Sequence, residues 1–137
     1  MKAIFYPVLA LFALTLAVAV RMYFARVGAA RAGKVKIKDF RLGESASVPP
    51  EVALPNRNFM NLLEVPVLFY VVCIILYVIQ AVDALALTLA WLYVALRAAH
   101  SLIHLTTNNV IHRLTAFGAS NVALLGLWLL LAVRLSA

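Results

Sequence analysis

Four long apolar runs, separated by polar connections, dominate the chain. They cover about residues 3–24, 59–80, 84–105 and 114–133. A helix of about 20 residues is long enough to cross the roughly 30 Å hydrocarbon core of a bilayer. The pattern therefore predicts an all-α integral membrane protein, a four-transmembrane-helix bundle in which Asp83 caps the start of the third helix.

The longest polar segment lies between the first two spans, at about residues 26–58. Its prolines Pro49, Pro50 and Pro55 predict that no long helix forms near its end. The alternation of apolar and basic residues at 35–38 would suit a short strand or a surface-lying extension. We interpret it as part of a solvated loop.

The composition also indicates a membrane protein. Of the 137 residues, 66% are hydrophobic and 12% are charged, against about 25% charged in soluble domains. We expect residues 1–137 to form one domain. The net charge of +7 does not indicate a nucleic-acid partner, because the basic residues gather between the first two spans instead of alternating with aromatic ones. The lone Cys73 fits a small buried hydrophobe and excludes an intrachain disulfide.

The placement of basic residues predicts the orientation in the membrane. Lys and Arg are enriched in cytoplasmic connections, which places the loop 26–58 and the connection 108–113 inside and both termini outside. Nine of the twelve basic residues then lie inside: Arg21, Arg26, Arg31, Lys34, Lys36, Lys38, Arg41, Arg57 and Arg113. Lys2 and Arg134 lie outside, and Arg97 lies within the membrane. We expect a bacterial inner-membrane protein.

The second span carries a polar stripe, since Arg57, Asn61 and Glu64 are spaced i, i+4, i+7 on a helix. A carboxylate near hydrocarbon depth is costly and is a site hypothesis by default. Pro66 leaves the carbonyl of Leu62 without its helical donor, so a kink is predicted just beyond Glu64. The alternative is that Glu64 only neutralises an arginine and holds helices together.

The third span carries a second stripe, with Arg97, His100, His104 and Asn108 at i, i+3, i+7, i+11. The helical rise of about 1.5 Å per residue puts the two histidines level with Glu64 and Arg97 about one turn deeper. Two stripes at matching depth predict a polar cavity that opens to the cytoplasm.

Several chemistries could use such a cavity. His100 and His104 have metal-ligand spacing, with His112 as a candidate third ligand, but the nearby Arg97 repels a cation and we assign no metal. Arginine donors beside a carboxylate and an amide suit a zwitterionic, peptide-like ligand with carboxylate and amino groups. An apolar co-substrate could enter from the bilayer.

The sequence Arg57-x3-Asn61-x2-Glu64, followed by a proline and an aromatic-rich helix, resembles the MAPEG family, membrane-associated proteins of eicosanoid and glutathione metabolism. The resemblance extends over nearly the whole chain. It implies a homotrimer of four-helix subunits with glutathione bound between neighbouring subunits. It also implies that Arg57, Asn61, Glu64 and Arg97 contact glutathione as the co-substrate.

Two positions depart from the family pattern. His100 and His104 occupy the places three and seven residues after Arg97 where members that use glutathione commonly carry tyrosines. Pro66 follows Glu64 by two residues instead of three. The resemblance implies a thiol-activating arginine near the start of the fourth helix, and Arg113 is the nearest candidate, with His104 or His100 as an alternative donor or base.

Two functions remain open at this point. The first is a glutathione-dependent transferase or peroxidase that acts on a hydrophobic electrophile, in which a cation beside the thiol promotes its ionisation. The second is a non-catalytic membrane protein that binds a lipid or a peptide-like ligand and uses its polar residues as a lock between subunits.

Overall fold

The computed structural model describes residues 2–41 and 43–136, and Met1, Leu42 and Ala137 lie outside this description. Five α-helices form the fold: α1 (Phe5–Arg31), α2 (Pro50–Leu63), α3 (Pro66–Val78), α4 (Ala84–Leu105) and α5 (Val110–Ser136). Short 3-10 turns occupy Lys2–Ile4 and Ile37–Phe40. The described residues contain no β-strand.

Four helical segments are long and apolar enough to cross a membrane, with α2 and α3 together forming one of them: Lys2–Arg31, Pro50–Val78, Ala84–Leu105 and Val110–Ser136. Their outer faces expose large apolar side chains such as Phe12, Ile74, Leu92 and Leu129, which suits contact with lipid tails. The protein is an integral membrane protein, and the predicted all-α, four-span fold is confirmed.

Contacts between helix ends show that successive spans run antiparallel. The ring centroids of Phe5 and Tyr77 are 4.8 Å apart, so α1 begins where α3 ends. Arg134 donates a hydrogen bond to the carboxylate of Asp83, so α5 ends where α4 begins. We call this the terminal end of the bundle.

The opposite end, which we call the loop end, holds the connections 32–49 and 106–109. There Ser101 of α4 donates a hydrogen bond to the side-chain oxygen of Asn58 of α2 at 3.1 Å. The core between the two ends is packed by apolar side chains of all four spans, among them Leu11 and Leu127. The polar stripes of α2 and α4 therefore meet near the loop end.

The helices reach further into the loop end than the sequence predicts. The non-helical connection shrinks from the expected 26–58 to 32–49, because α1 continues to Arg31 and α2 already begins at Pro50. The expectation that the prolines prevent a helix here is wrong. Pro50 takes the first helical position, which needs no N–H donor. Pro55 leaves only the carbonyl of Glu51 without its regular donor, in the first turn, where Glu51 is exposed.

The remaining boundaries show smaller differences. The predicted span 84–105 coincides with α4, whereas α5 begins at Val110 instead of residue 114. Residues 37–40 form a 3-10 turn within the connection, so the strand considered as an alternative at 35–38 does not form. The second span is interrupted at Glu64 and Val65, directly before Pro66. This interruption is the predicted kink beyond Glu64.

Asp83 caps α4, as predicted, by accepting a hydrogen bond from the N–H of Ala86 at 2.8 Å. This bond, followed by the charge of Arg134, holds the pKa of Asp83 below its ordinary value. The folded state therefore favours the carboxylate. Its contribution to stability is complete above about pH 4 and is lost as the pH falls through the lowered pKa.

We expect Asp83→Ala to lower the free energy of unfolding by about 0.5–2 kcal/mol, the usual cost of losing a cap. Asp83→Asn should cost less at neutral pH, because an asparagine oxygen can still accept the Ala86 N–H. The measurement is the apparent melting temperature in detergent at pH 7 and pH 3. Equal losses for the two variants at pH 7 would contradict the capping role.

Candidate functional site

The polar side chains of α2 lie on two different faces of the helix, one buried and one exposed. Asn58 is fully buried against α4 and Asn61 is half-buried, whereas Arg57 and Glu64 are exposed. Successive residues of a helix are about 100° apart, so the buried line of α2 runs between Asn58 and Asn61. The stripe Arg57, Asn61, Glu64 thus lies along the edge of the helix contact instead of at its centre.

Arg97 is the largest fully buried polar side chain among the described residues. Its Nη2 donates to the backbone carbonyl of Asn61 at 2.8 Å and to the side-chain oxygen of the same residue. Its guanidinium carbon lies 5.6 Å from the centre of the Phe117 ring, within the range of a cation–π contact. Nε and Nη1 have no hydrogen-bond partner among the described residues.

The interruption of the second span explains why Arg97 bonds to a backbone carbonyl. The carbonyls in the last turn of a helix have no intrahelical donor. Because α2 ends at Leu63, the Asn61 carbonyl belongs to this last turn, and the guanidinium of Arg97 supplies the missing donor. The end of α2 at Leu63 therefore provides the acceptor that fixes the buried arginine.

The two histidines of α4 are buried beside Arg97. His100 and His104 are 3% and 6% exposed, and their ring centroids are 5.8 Å apart. The His100 ring also lies 5.9 Å from that of Phe117 in α5. Nδ1 of each histidine lacks a hydrogen-bond partner in the described part of the chain. Both rings thus retain a free nitrogen for a ligand or a proton.

Arg113, at the start of α5, is held by the connection between α4 and α5. Its Nη1 donates to the side-chain oxygen of Asn108 at 2.7 Å and lies 3.4 Å from Nε2 of His104. Asn108 has a positive φ of 48°, a conformation that asparagine tolerates better than most residues. Its own N–H donates to the carbonyl of Ile103 at 2.7 Å. The tight turn thus holds the oxygen that orients Arg113.

These groups surround a cavity of about 200 Å³ at the loop end. It is lined by residues of α2, α4 and α5: Asn61, His100, Val110, Arg113, Leu114 and Phe117. Arg97 contacts two of the lining residues, Asn61 and Phe117. The cavity therefore combines cationic donors with apolar walls.

A comparison with family models supports the resemblance noted in the sequence. Residues 4–133 of the 137 match the model of the MAPEG family. The chain belongs to the MAPEG family. Membership places it among the membrane proteins of eicosanoid and glutathione metabolism. No curated protein and no solved structure matches this MAPEG chain significantly.

The structure of this MAPEG protein groups the candidate residues in two sets. Asn61, Arg97, His100, His104 and Arg113 converge around the cavity at the loop end. Arg57 and Glu64 do not line it and are exposed.

Within the part of the chain that the structure describes, Glu64 forms no ion pair with an arginine, one of the roles that the sequence left open. Among the described residues, ion pairs with a nitrogen–oxygen distance below 4.0 Å join Arg26 to Glu44, Lys34 to Glu51 and Arg134 to Asp83. The backbone turns at Glu64, where α2 ends, and Asn61 occupies the position beside Arg97. Glu64 therefore has no ion-pair partner among the described residues.

The hydrogen bond between Asn58 and Ser101 was not predicted from the sequence. Asn58 lies three residues before Asn61 and Ser101 four residues after Arg97, so helical spacing could have identified both. A serine in an apolar helix does not by itself indicate a functional site, and the sequence pattern assigns Asn58 to the polar connection 26–58. Nδ2 of Asn58 is a buried donor with no described partner.

A metal site receives no support from the arrangement of side chains. Within residues 2–41 and 43–136, no three His, Cys, Asp or Glu side chains come together in a group that could hold an ion. His112 is exposed on α5, while His100 and His104 are buried.

Proposed function

We propose that this MAPEG protein is a glutathione-dependent transferase or peroxidase that acts on hydrophobic electrophiles. The observation that carries the proposal is the buried Arg97, which is fixed to Asn61 through one nitrogen, has two nitrogens without a described partner, and contacts two residues that line the cavity. A buried charge without a counter-charge is costly. A carboxylate of the peptide would supply the missing acceptors.

The start of α5 supplies the group for thiol chemistry. Arg113 lines the cavity, and Asn108 holds its guanidinium in place. A cation within hydrogen-bond reach of the glutathione sulfur stabilises the thiolate over the thiol. His104 Nε2, 3.4 Å from Arg113, or the free Nδ1 of His100 serves as the alternative proton acceptor or donor.

The proposed reaction involves the thiol of glutathione, a base and the electrophilic atom of the second substrate. The thiol proton leaves to a base, and the sulfur lone pair forms a bond to the electrophilic atom of the second substrate. The electron pair of the broken bond departs with the leaving group, which takes up a proton. In a peroxidase reaction the sulfur bonds to the outer oxygen of a hydroperoxide, the O–O bond breaks, and the alkoxide leaves as an alcohol. A second glutathione thiolate then attacks the sulfur of the resulting sulfenic acid and displaces hydroxide, which leaves as water, to give the disulfide.

The second substrate has an apolar surface available to it. A groove of about 540 Å³ lies between α1 and the interrupted second span. On the second span it is lined by Phe59, Leu62, Leu63, Val67 and Tyr70. The groove flanks the same interruption that frees the Asn61 carbonyl. A hydrophobic electrophile dissolved in the bilayer would reach it without crossing water.

The size of the polar cavity supports a homotrimer. About 200 Å³ lies below the range of about 300–1,000 Å³ typical of small-molecule pockets. Arg57 and Glu64, which the family resemblance assigns to glutathione, are exposed. We propose that a neighbouring copy covers them and completes the site. We propose that this end lies in the cytoplasm of a bacterial inner membrane with the termini outside, which the +7 charge and the basic connection 32–49 support.

The direct test adds glutathione to the purified protein in detergent and follows thiolate absorbance in the ultraviolet against pH. We expect a thiolate signal below the pH at which free glutathione ionises. S-methylglutathione is the control, because it keeps both carboxylates and cannot form a thiolate. It should bind without the signal. Failure of both peptides to bind would exclude the enzymatic function and leave the fold untouched.

A second candidate function is the non-catalytic one, in which the polar residues lock subunits together. The exposure of Glu64 favours it, since a carboxylate on the outer face of a membrane helix requires a partner. Glutathione binding with no thiolate signal would support a ligand-binding protein of this kind.

Glu64→Gln separates the two functions. If Glu64 binds the amino group of glutathione, we expect the dissociation constant to rise about 10-fold or more, the usual loss for a charged hydrogen bond, with the oligomer intact. Calorimetry and size-exclusion chromatography in detergent measure the two effects. Glu51→Gln, at the exposed start of α2, is the charge-matched control. Dissociation of the oligomer with unchanged affinity per subunit would identify the lock.

A further inference from the structure

The chain reverses direction after α1 and returns alongside that helix. α1 ends at Arg31, and Gly33, with a positive φ of 70°, lies in the reversal. The 3-10 turn Ile37–Phe40 then packs against α1, where the guanidinium carbon of Arg26 lies 4.8 Å from the centre of the Phe40 ring. We call residues 36–41 the basic turn. Its contact with Arg26 shows that it lies beside α1 instead of extending away from the bundle.

The position of Arg26 along α1 gives the depth of the basic turn relative to the membrane. The apolar run of the first span continues to Phe24, and the ring of Tyr23 is 61% exposed, at a level where tyrosine is enriched in membrane proteins. Arg26 and Ala30 lie about 3 and 9 Å beyond Phe24 along the helix axis. The polar headgroup layer on each side of the hydrocarbon core is about 5–8 Å thick. The basic turn therefore lies at the level of the lipid headgroups.

The basic turn presents an apolar side chain at this level. Ile37 is 91% exposed, the largest exposed fraction among the described large apolar residues. It borders an apolar groove of about 260 Å³ between the turn and α1, whose walls include Val27 and Ala30. Water contact with such a side chain is unfavourable, and lipid contact removes it. An apolar environment next to the turn would stabilise this conformation.

Basic side chains flank Ile37. Lys36, Lys38 and Arg41 are exposed, and none forms an ion pair with a described residue. Asp39 accepts a hydrogen bond from the backbone N–H of Lys36 at 2.8 Å. Residues 36–41 thus carry three basic groups and one acidic group, a net charge of +2. A surface that attracts this segment is anionic as well as apolar.

We propose that the basic turn docks on the surface of the protein's own membrane. Ile37 inserts between the headgroups, and Lys36, Lys38 and Arg41 contact the phosphates of separate anionic lipids. An apolar side chain surrounded by cations is the pattern of segments that lie in the membrane interface. A soluble anion would neutralise the cations and leave Ile37 in water, whereas the lipid surface satisfies both and already lies at this depth.

Docking would hold the basic turn at one end of the apolar groove between α1 and the second span. Leu16 and Ala19 line that groove. Arg26 and Ala30, which line the groove beside the basic turn, follow on the same face of α1 at helical spacing. The inference holds whether or not the protein uses glutathione.

A spin label at Ile37→Cys, with the protein in phosphatidylglycerol nanodiscs, tests the docking. Because Ile37 is exposed, the label replaces no core contact, and the native Cys73 is buried. Oxygen concentrates in lipid, and a nickel chelate stays in water. We expect the label at residue 37 to be more accessible to oxygen than to the chelate. Ala32→Cys, about 12 Å beyond Phe24, is the control and should show the reverse.

The same accessibility for both labels would overturn the inference, because Ile37 would then lie in water. Low accessibility of residue 37 to both reagents would also overturn it and would show that a second copy of the chain covers Ile37.

Charge variants test the contribution of the headgroups, with phosphatidylcholine of the same acyl chains as the neutral lipid. Lys36→Gln/Lys38→Gln should lower the ratio of docked to undocked turns in phosphatidylglycerol by up to about 25-fold, since each basic group near an anionic surface contributes up to about fivefold. Arg31→Gln/Lys34→Gln, with the same charge change at the end of α1, should lower it much less. An equal loss in both pairs, or an equal ratio in the two lipids, would overturn the inference.

Discussion

Replacing Arg97 with glutamine is expected to weaken glutathione binding by about 10- to 100-fold. Hydrogen bonds to a charged group contribute about 1.5–3 kcal/mol, and two buried nitrogens of Arg97 have no described partner. Glutamine keeps a donor for the Asn61 oxygens but loses the charge and the forked geometry. Calorimetry with glutathione in detergent measures the change.

Arg97→Lys separates charge from geometry. A lysine keeps the positive charge but cannot bond to Asn61 and a carboxylate as a planar fork does. We therefore expect binding between that of the unaltered protein and that of Arg97→Gln. Arg31→Gln, an exposed arginine at the end of α1, is the control and should bind normally. If Arg97→Gln keeps its melting temperature and its full affinity, Arg97 is not a ligand contact.

The largest effect on turnover is expected for Arg113→Gln, which should lower kcat about 100-fold with a smaller change in affinity. Loss of one donor aimed at a developing negative charge commonly costs about 10²–10³-fold in rate. The thiolate absorbance of bound glutathione at neutral pH should also disappear, because the cation that stabilises the thiolate is gone. Initial rates with a chlorodinitrobenzene electrophile give kcat and KM.

Asn108→Gly tests whether the position of Arg113 matters as well as its charge. Glycine adopts the positive φ of 48° found at residue 108 without strain, but it removes the oxygen that accepts from Arg113. We expect kcat to fall about tenfold, with the thiolate titration displaced toward higher pH.

A kcat for Arg113→Gln within about twofold of the unaltered protein would contradict the role of Arg113 in stabilising the thiolate and would assign that role to His104 or His100.

The membrane architecture could be predicted from the sequence because it depends on local properties. Runs of about 20 apolar residues require helices in lipid, where each backbone polar group must be bonded within its own segment. Pro66 marked the interruption beyond Glu64 because a missing N–H acts on its own turn. The extent of helices in water was less predictable. Pro50 stands at the first position of α2, where no donor is needed, and Pro55 leaves only the carbonyl of the exposed Glu51 without its donor.

The sequence predicted several of the polar residues that gather around the cavity, but only some of the contacts between them. Helical spacing identified Arg97, His100 and His104 on one face, and the structure buries all three. Spacing also grouped Glu64 with Asn61, yet the two separate: Asn61 bonds to Arg97 and Glu64 is exposed. How α2 packs against α4 decides which of the two side chains faces Arg97, and the sequence of α2 alone does not specify this packing.

The sequence by itself determined that this is a four-span helical membrane protein of the MAPEG family, with cationic and amide side chains at one end. Those conclusions rest on hydrophobicity, helical period and a local motif. Only the tertiary structure decided which polar atoms are paired and which are free. The Asn61 carbonyl becomes an acceptor because α2 ends, and Arg97 reaches it because α4 packs against that turn. Such contacts join residues distant in the chain, so packing decides them.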